Sequence, residues 1–264
     1  MISAQRRALI LERLRQDGAG SIVGLSQSIG VSPSTIRRDL EYLTQEGYLE
    51  RSHGGAVLKE QQHTTFEIAR EIGVHVAHQA KVAIGISASG LVEAGQSVIF
   101  DSSSTVLEAA KAIAAKDVVL TACTNDLAIA MVLARVPKMH LVVLGGTLRP
   151  GSLTMIGDPG LSFLDRLHAD IAFIGIHSLA SGRLSETSID LAAMKRRMLL
   201  SAAHTVVLAD STKFKHPAFC DVCAAAEVRT IITDASITAS DRQQLIDAGV
   251  AVVVTGETAF SGRP

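Results

Sequence analysis

An N-terminal winged helix-turn-helix followed by a largely parallel, Rossmann-like sheet, α/β overall, is the fold class that these 264 residues predict. Two observations carry it. Residues 31–40, V-S-P-S-T-I-R-R-D-L, read as a sharply capped helix, and residues 49–57, L-E-R-S-H-G-G-A-V, read as a basic hairpin with a glycine pair at its tip. From Lys81 onward, continuous apolar runs alternate with helical stretches, as in strands covered on both faces of a parallel sheet.

The first helix, about Gln5 to Gln16, carries Leu9, Ile10, Leu11 and Leu14. The second repeats Ile22, Leu25 and Ile29 at helical spacing, and Gly30 stops it. The third opens on Ser32, whose hydroxyl can cap the first turn. Pro33 follows where a missing N–H costs nothing. Ile36, Leu40 and Leu43 share its inner face, which leaves Ser34, Thr35, Arg37 and Arg38 outward or near the helix start. In a helix-turn-helix that end enters the major groove, where arginine reads guanine edges or grips phosphates. Gly54-Gly55 supplies the hairpin turn, and Arg51 and His53 supply donors for phosphate or the minor groove. The candidate DNA-binding residues are therefore Ser32, Ser34, Thr35, Arg37, Arg38, Arg51 and His53. A solvated helix face would explain an arginine pair alone, but not the cap, the preceding helix and the hairpin together.

Bulk charge gives no help. The formal net charge is −1, and residues 1–60 hold eight basic side chains against seven acidic. The DNA signal is local, and Arg37, Arg38, Arg51, His53 and Lys59 have to cluster in space. The first 21 residues read as an amphipathic helix rather than a secretion signal, and no apolar run is long enough to span a membrane. Three scattered cysteines fit a reduced, cytoplasmic location. Cys220 and Cys223 form a lone C-x-x-C that would need His216 or Cys123 to complete a zinc site, so they are read as ordinary thiols. No metal and no cofactor are expected.

Residues 3–58 are expected to form the DNA-binding domain, 59–80 a linker with a connecting helix over Phe66 to Gln79, and 81–257 the second domain. Strands are predicted at Ser97–Phe100, Val118–Ala122, His140–Leu144, Ile171–Gly175, Thr205–Ala209, Thr230–Thr233 and Val250–Val254. Helices are predicted at Thr105–Ala115, Asp126–Arg135, Pro159–Leu167, Ser188–Ala203 and Ala239–Ala248. Ligands in such sheets bind outside the carboxyl ends of the strands. Polar residues recur there: Asp101, Ser102, Ser103, Ser104 and Thr105, then Thr124-Asn125, Gly145-Gly146, and Asp210 to Lys213. Hydroxyls and free amides at a helix start suit a phosphate, the glycines allow close approach, and Lys213 suits a phosphate or sugar oxygen. Singly, Asp101 and Asn125 could cap helices and Gly145-Gly146 could be a plain turn. Together on one edge they point to a pocket.

These residues resemble the DeoR family of bacterial transcription regulators. Its recognition segment V-S-x-x-T-I-R-R-D-L, then L-x-x-x-G and R-x-H-G-G-A, is matched without a gap by Val31 to Leu40, Leu43 with Gly47, and Arg51 to Ala56. Phe66 and Arg70 match its linker. Lys81 with Ile84-Gly85, Asp101–Thr105, Thr124-Asn125, Gly145-Gly146, Gly157 and Asp210–Phe214 match its effector domain, so the resemblance covers nearly all of residues 3–260. It implies a sugar-phosphate-isomerase-like second domain, similar to ribose-5-phosphate isomerase and glucosamine-6-phosphate deaminase. It also implies a repressor of a carbohydrate catabolic operon, relieved by a phosphorylated sugar. The candidate effector residues are Asp101, Ser102, Ser104, Thr105, Asn125, Gly145, Gly146, Glu186, Asp210 and Lys213. The implied partners are operator DNA, that effector and further copies of the chain in a homodimer or homotetramer, with no membrane.

Two departures stand out. Ser103 replaces a family glycine, which would cost something if that position needs a positive φ or room for a phosphate, and Ser104 replaces a threonine. Residues 175–186 depart from the usual G-I-D pattern, so His177, Arg183 and Glu186 are expected to tune ligand identity. The competing expectations are an isomerase-like enzyme with an attached DNA domain, using Asp101, Glu186, Asp210 and Lys213 for proton transfer, and a DNA-binding scaffold without a ligand.

Overall fold

The computed structural model describes residues 1–59 and 63–257. Glu60 to Gln62 of the expected polar connector, and residues 258–264, lie outside the described residues. The chain divides into two compact units, Met1–His78 and Gln79–Pro264.

The first unit runs α1 (Ser3–Asp17), β1 (Ala19–Ser21), α2 (Ile22–Ile29), α3 (Pro33–Gln45), β2 (Leu49–Ser52), β3 (Gly55–Leu58) and a short α4 (Arg70–Gly73). Gly30 ends α2 in the left-handed conformation at φ 74°. Ser32 caps α3, accepting the Thr35 amide at 3.2 Å, with Pro33 behind it. Ile36, Leu40 and Leu43 are fully buried against Ile10, Leu11 and Leu14 of α1. Burial of each such side chain contributes about 1.5–3 kcal/mol. The hairpin β2–β3 gains a third strand, β1, on the far side of β3. The glycine pair has split duties. Gly54, at φ 79°, makes the turn. A Cβ on Gly55 would lie 2.1 Å from the Gly20 carbonyl oxygen, so Gly55 is what lets β1 approach.

The segment expected as a linker contributes core residues to this unit. Ile72 and Val76 are buried in it, the Phe66 ring meets Tyr48 edge-on at 5.5 Å, and the Tyr48 hydroxyl accepts the Ala69 amide at 2.9 Å. The connecting helix over Phe66 to Gln79 is not continuous. It is broken before Ala77, whose φ of 51° is outside the helical region.

The second unit runs α5 (His78–Ser89), β4 (Ser97–Phe100), α6 (Ser104–Ala114), β5 (Leu120–Thr124), α7 (Leu127–Leu133), β6 (Met139–Val143), β7 (Thr147–Leu148), β8 (Met155–Ile156), α8 (Gly160–Leu164) and β9 (Ala169–Gly175). It continues with β10 (Ser178–Ala180), β11 (Arg183–Glu186), α9 (Ile189–Leu200), β12 (Ala202–Leu208), β13 (Cys220–Ala224), β14 (Thr230–Thr233), α10 (Ala239–Asp247) and β15 (Ala251–Val254). Seven strands form a parallel sheet in the order β15-β14-β12-β9-β4-β5-β6. Strand residues alternate between two cores. Val98, Phe100, Phe173, Val206 and Leu208 pack with α5, α6 and α7. Ile99, Ala172, Ile174 and Val207 pack with α8, α9 and α10. Burial on both faces is why these strands read as continuous apolar runs.

Two small antiparallel sheets, β10-β11-β13 and β7-β8, accompany the main one. The β10–β11 turn places Ser181 and Gly182 at φ 49° and 71°. The helix predicted over Pro159–Leu167 is shorter, Gly160–Leu164, and the one predicted over Ser188–Ala203 stops at Leu200, because Ala202 already begins β12. No helix among the described residues is long and apolar enough to cross a membrane.

Candidate functional site

On the first unit, Ser32, Ser34, Arg37 and Arg38 are exposed and Thr35 is half-buried, all in the first turns of α3. The three hydroxyls lie together, Ser32 Oγ being 2.8 Å from Ser34 Oγ and 2.9 Å from Thr35 Oγ1. Arg51 on β2 and His53 at the hairpin tip are exposed, as is Lys59. Behind this face lies a group that the sequence reading passed over. Asp39, 2 % exposed, is held by Arg6 and Arg7 of α1. Its place in R-R-D-L, three residues after Ile36 and one before Leu40, puts it on the inward side, and that spacing was the available signal.

On the second unit, the polar residues stand at successive carboxyl ends of the parallel strands: Asp210 after β12, Gly175 at the end of β9, Asp101 after β4, Asn125 after β5 and Gly145 after β6. At about 4.8 Å per strand, Asp210 and Asn125 are separated by roughly 14 Å along the edge. The residues next to Asp101 and Asn125 do the capping. Ser103 Oγ accepts the Val106 amide at 3.1 Å, and Asp126 accepts the amides of Ala128 and Ile129 at 2.8 and 3.0 Å. Asp101 and Asn125 are thereby relieved of the helix-capping role that could have explained them.

The structure answers the backbone half of the Ser103 question. Its φ is −112°, so no positive φ is required and serine sits there as an ordinary N-cap. The tight position is opposite: a Cβ on Gly175 would lie 2.2 Å from Ser103 Cβ and Oγ. Gly146, at φ 142°, accommodates the chain itself, since a Cβ there would come within 2.4 Å of the Ile156 carbonyl oxygen.

Asp101 is 1 % exposed. Its Oδ2 accepts the Gly175 amide at 3.0 Å and the Lys195 ammonium at 2.8 Å. Lys195, from α9, also donates to the Gly175 carbonyl at 2.6 Å and pairs with Glu186 at 2.9 Å. Burial works against its charge, but Asp101 and Glu186 outweigh burial and hold its pKa above the ordinary lysine value. Asp101 and Glu186, read from sequence as separate effector residues, are thus joined through a lysine that sequence reasoning missed. Asp210 accepts from the Thr212 amide at 3.1 Å and from its hydroxyl. Burial would raise its pKa, yet Lys213, Thr212 and Lys81 bring it below the usual carboxylate value. His177 Nε2 lies 3.2 Å from Lys215 Nζ. Burial first, then Lys215, Lys213 and Lys195, push the imidazole down to about 3, so it is a neutral acceptor at pH 7.

Among the described residues, Asp101 Oδ1, Asn125 Oδ1 and Asp210 Oδ2 are buried without a hydrogen-bond partner, as are the hydroxyls of Thr187 and Thr233. Ser102 and Ser104 are half-buried beside the first turn of α6, Thr105 is buried, and Lys213 is half-buried. The arrangement offers carboxylate and amide acceptors to hydroxyl donors, and positive potential from Lys213 and the start of α6 to an anion.

Residues 6–62 match the family model for the DeoR-like helix-turn-helix domain, and residues 76–235 match that for the DeoR C terminal sensor domain. A relative from Haloferax volcanii, "HTH-type transcriptional regulator GlpR", is 33% identical over 96% of this chain and 98% of its own. "HTH-type transcriptional repressor CsqR" of Escherichia coli K12 is 27% identical over 96% of each chain. The "L-fucose operon activator" of Haemophilus influenzae is 29% identical over 88% of this chain and 92% of its own.

Proposed function

Because the chain belongs to the DeoR family of DNA-binding transcriptional regulators, we propose that it represses a carbohydrate catabolic operon and is released by a phosphorylated sugar bound at the strand ends of its second unit. One observation carries the effector class. The buried atoms at Asp101, Asn125 and Asp210 that have no partner among the described residues are acceptors, so a ligand that satisfies them brings donors, as a polyol does. Lys213 and the first turn of α6 then face the anionic end of such a molecule.

The same site is poorly suited to turnover. Proton transfer at neutral pH needs a group tuned near 7. Here Asp210 is held low, Lys195 high, and His177 near 3, while Asp101 and Glu186 are both ion-paired to Lys195. The chain acts in the cytoplasm as a homodimer or larger assembly, two copies of α3 meeting two operator half-sites. Its relatives include a repressor and an activator, and repression is the action we propose for this chain.

A thermal-shift series with sugars, their phosphates and inorganic phosphate tests the effector class. Stabilisation by at least one sugar phosphate, larger than by its parent sugar or by phosphate alone, is expected. No stabilisation across pentose, hexose and hexosamine phosphates, or catalytic turnover of one of them, would overturn the proposal.

A further inference from the structure

Asp39 lies between Arg38 and Leu40 on α3 but faces away from the surface that carries Arg37 and Arg38. Arg6 Nε donates to its Oδ2, while Arg6 Nη2 and Arg7 Nε each reach its Oδ1 at 3.2 Å. The guanidinium of Arg7 also lies over the Tyr42 ring, 3.4 Å from its centroid, one turn further along α3. Both arginine side chains are mostly buried, at 15% and 21% exposure. Two adjacent residues of α1 therefore hold α3 at two points, one ionic and one aromatic.

We infer that Asp39, with Arg6 and Arg7, is a positioning residue for operator recognition, fixing the rotation of α3 about its own axis so that Arg37 and Arg38 meet the groove in register. The apolar face of Ile36, Leu40 and Leu43 resists lifting of the helix, but non-directional packing alone holds its rotation loosely. A forked arginine–carboxylate contact is directional. With side chains reaching about 5–6 Å from a helix axis, a rotation of roughly 20° moves a guanidinium by about 2 Å. That exceeds the tolerance of roughly 0.5 Å for a bidentate contact. The clamp also commits two basic side chains of the DNA-binding unit to an intramolecular carboxylate.

This rests on α3 being the helix that reads bases, and the test separates the two ideas. The tightest duplex selected by the full-length chain from a random-sequence pool serves as the probe, with a scrambled duplex of equal length as reference. Affinities for both are compared for wild type, Asp39→Asn, Arg7→Lys and Arg37→Ala, with circular dichroism and melting of each. For Asp39→Asn we expect selected-duplex affinity to fall ten-fold or more and scrambled-duplex affinity to change less than three-fold. Arg7→Lys keeps the charge and the Arg6 fork but loses the Arg7 Nε contact with Asp39 and the stacking on Tyr42. It should lower the same ratio about three-fold, which keeps the proposal testable if Asp39→Asn fails to fold. A ratio unchanged in folded Asp39→Asn or in Arg7→Lys, with Arg37→Ala lowered, overturns the role of Asp39 alone. A ratio unchanged in all variants overturns the assignment of α3 as well.

Discussion

Lys195 donates to Asp101 at 2.8 Å across the carboxyl edge of the sheet, joining α9 to the end of β4, and both side chains are almost wholly buried. Glu186, at the end of β11, completes the group from a third element. Removing one partner of such a pair leaves buried charge uncompensated. Lys195→Met should therefore destabilise the chain by about 3–5 kcal/mol, and Asp101→Asn, which leaves Lys195 with Glu186, by about 1–3 kcal/mol. Denaturant titration checks this, and equal effects of the two substitutions would contradict it.

His177 sets a pH dependence. Its folded pKa of about 3 lies below the value of about 6.5 expected in the unfolded chain. The unfolded state thus binds more protons between these values. The stability is fully present above about 6.5 and is lost as the pH falls toward 3. At about 1.36 kcal/mol per pH unit, the loss between pH 6.5 and 5 approaches about 2 kcal/mol. His204, also lowered by burial and Arg229, acts in the same direction, so the comparison is between wild type and His177→Gln. The variant should lose distinctly less stability on going from pH 7 to 5; identical slopes would refute the assignment.

Ser103 and Gly175 are coupled sterically. Gly175→Ala forces a Cβ into Ser103 and should cost about 1–3 kcal/mol. Ser103→Gly alone should cost only a few tenths of a kcal/mol, since glycine is a tolerable N-cap. The double variant should recover part of the Gly175→Ala loss, as seen in a double-mutant cycle of melting temperatures. Strict additivity would mean the two do not meet.

Much of this was legible in the sequence. The cap at Ser32, the stop at Gly30 and the inward face of Ile36, Leu40 and Leu43 follow from local rules. So do the main parallel strands, because burial on both faces makes them uniformly apolar. The β10–β11 hairpin is not among the predicted elements, although Ser181-Gly182 is a turn dipeptide. Helix α5 is not among the predicted elements, and Gly85 lies within it. A Cβ there would be 2.6 Å from the backbone of Glu108, so the glycine permits close packing on α6 rather than a break. Lys195 could not be placed. A lysine within a helix reads as solvated until tertiary structure brings Asp101, 94 residues away, and Glu186 to it.

Arg37→Ala and Arg38→Ala should each weaken binding to the selected duplex, by about 1–3 kcal/mol for a residue that reads a base. A residue that holds only phosphate should instead lower the salt slope by about one. The melting shift produced by a sugar phosphate should persist in both. Unaltered duplex affinity and salt dependence in both variants would remove them from the interface.

Release of DNA by effector tests the central claim most directly. The full-length chain on its selected duplex is titrated with a panel of sugar phosphates, followed by fluorescence anisotropy, alongside Asp210→Asn. At least one sugar phosphate should weaken duplex binding about ten-fold, a coupling of about 1.4 kcal/mol, and Asp210→Asn should bind DNA normally without responding. Duplex affinity that no sugar phosphate alters, or an Asp210→Asn chain that responds as wild type does, would contradict an effector site at the strand ends.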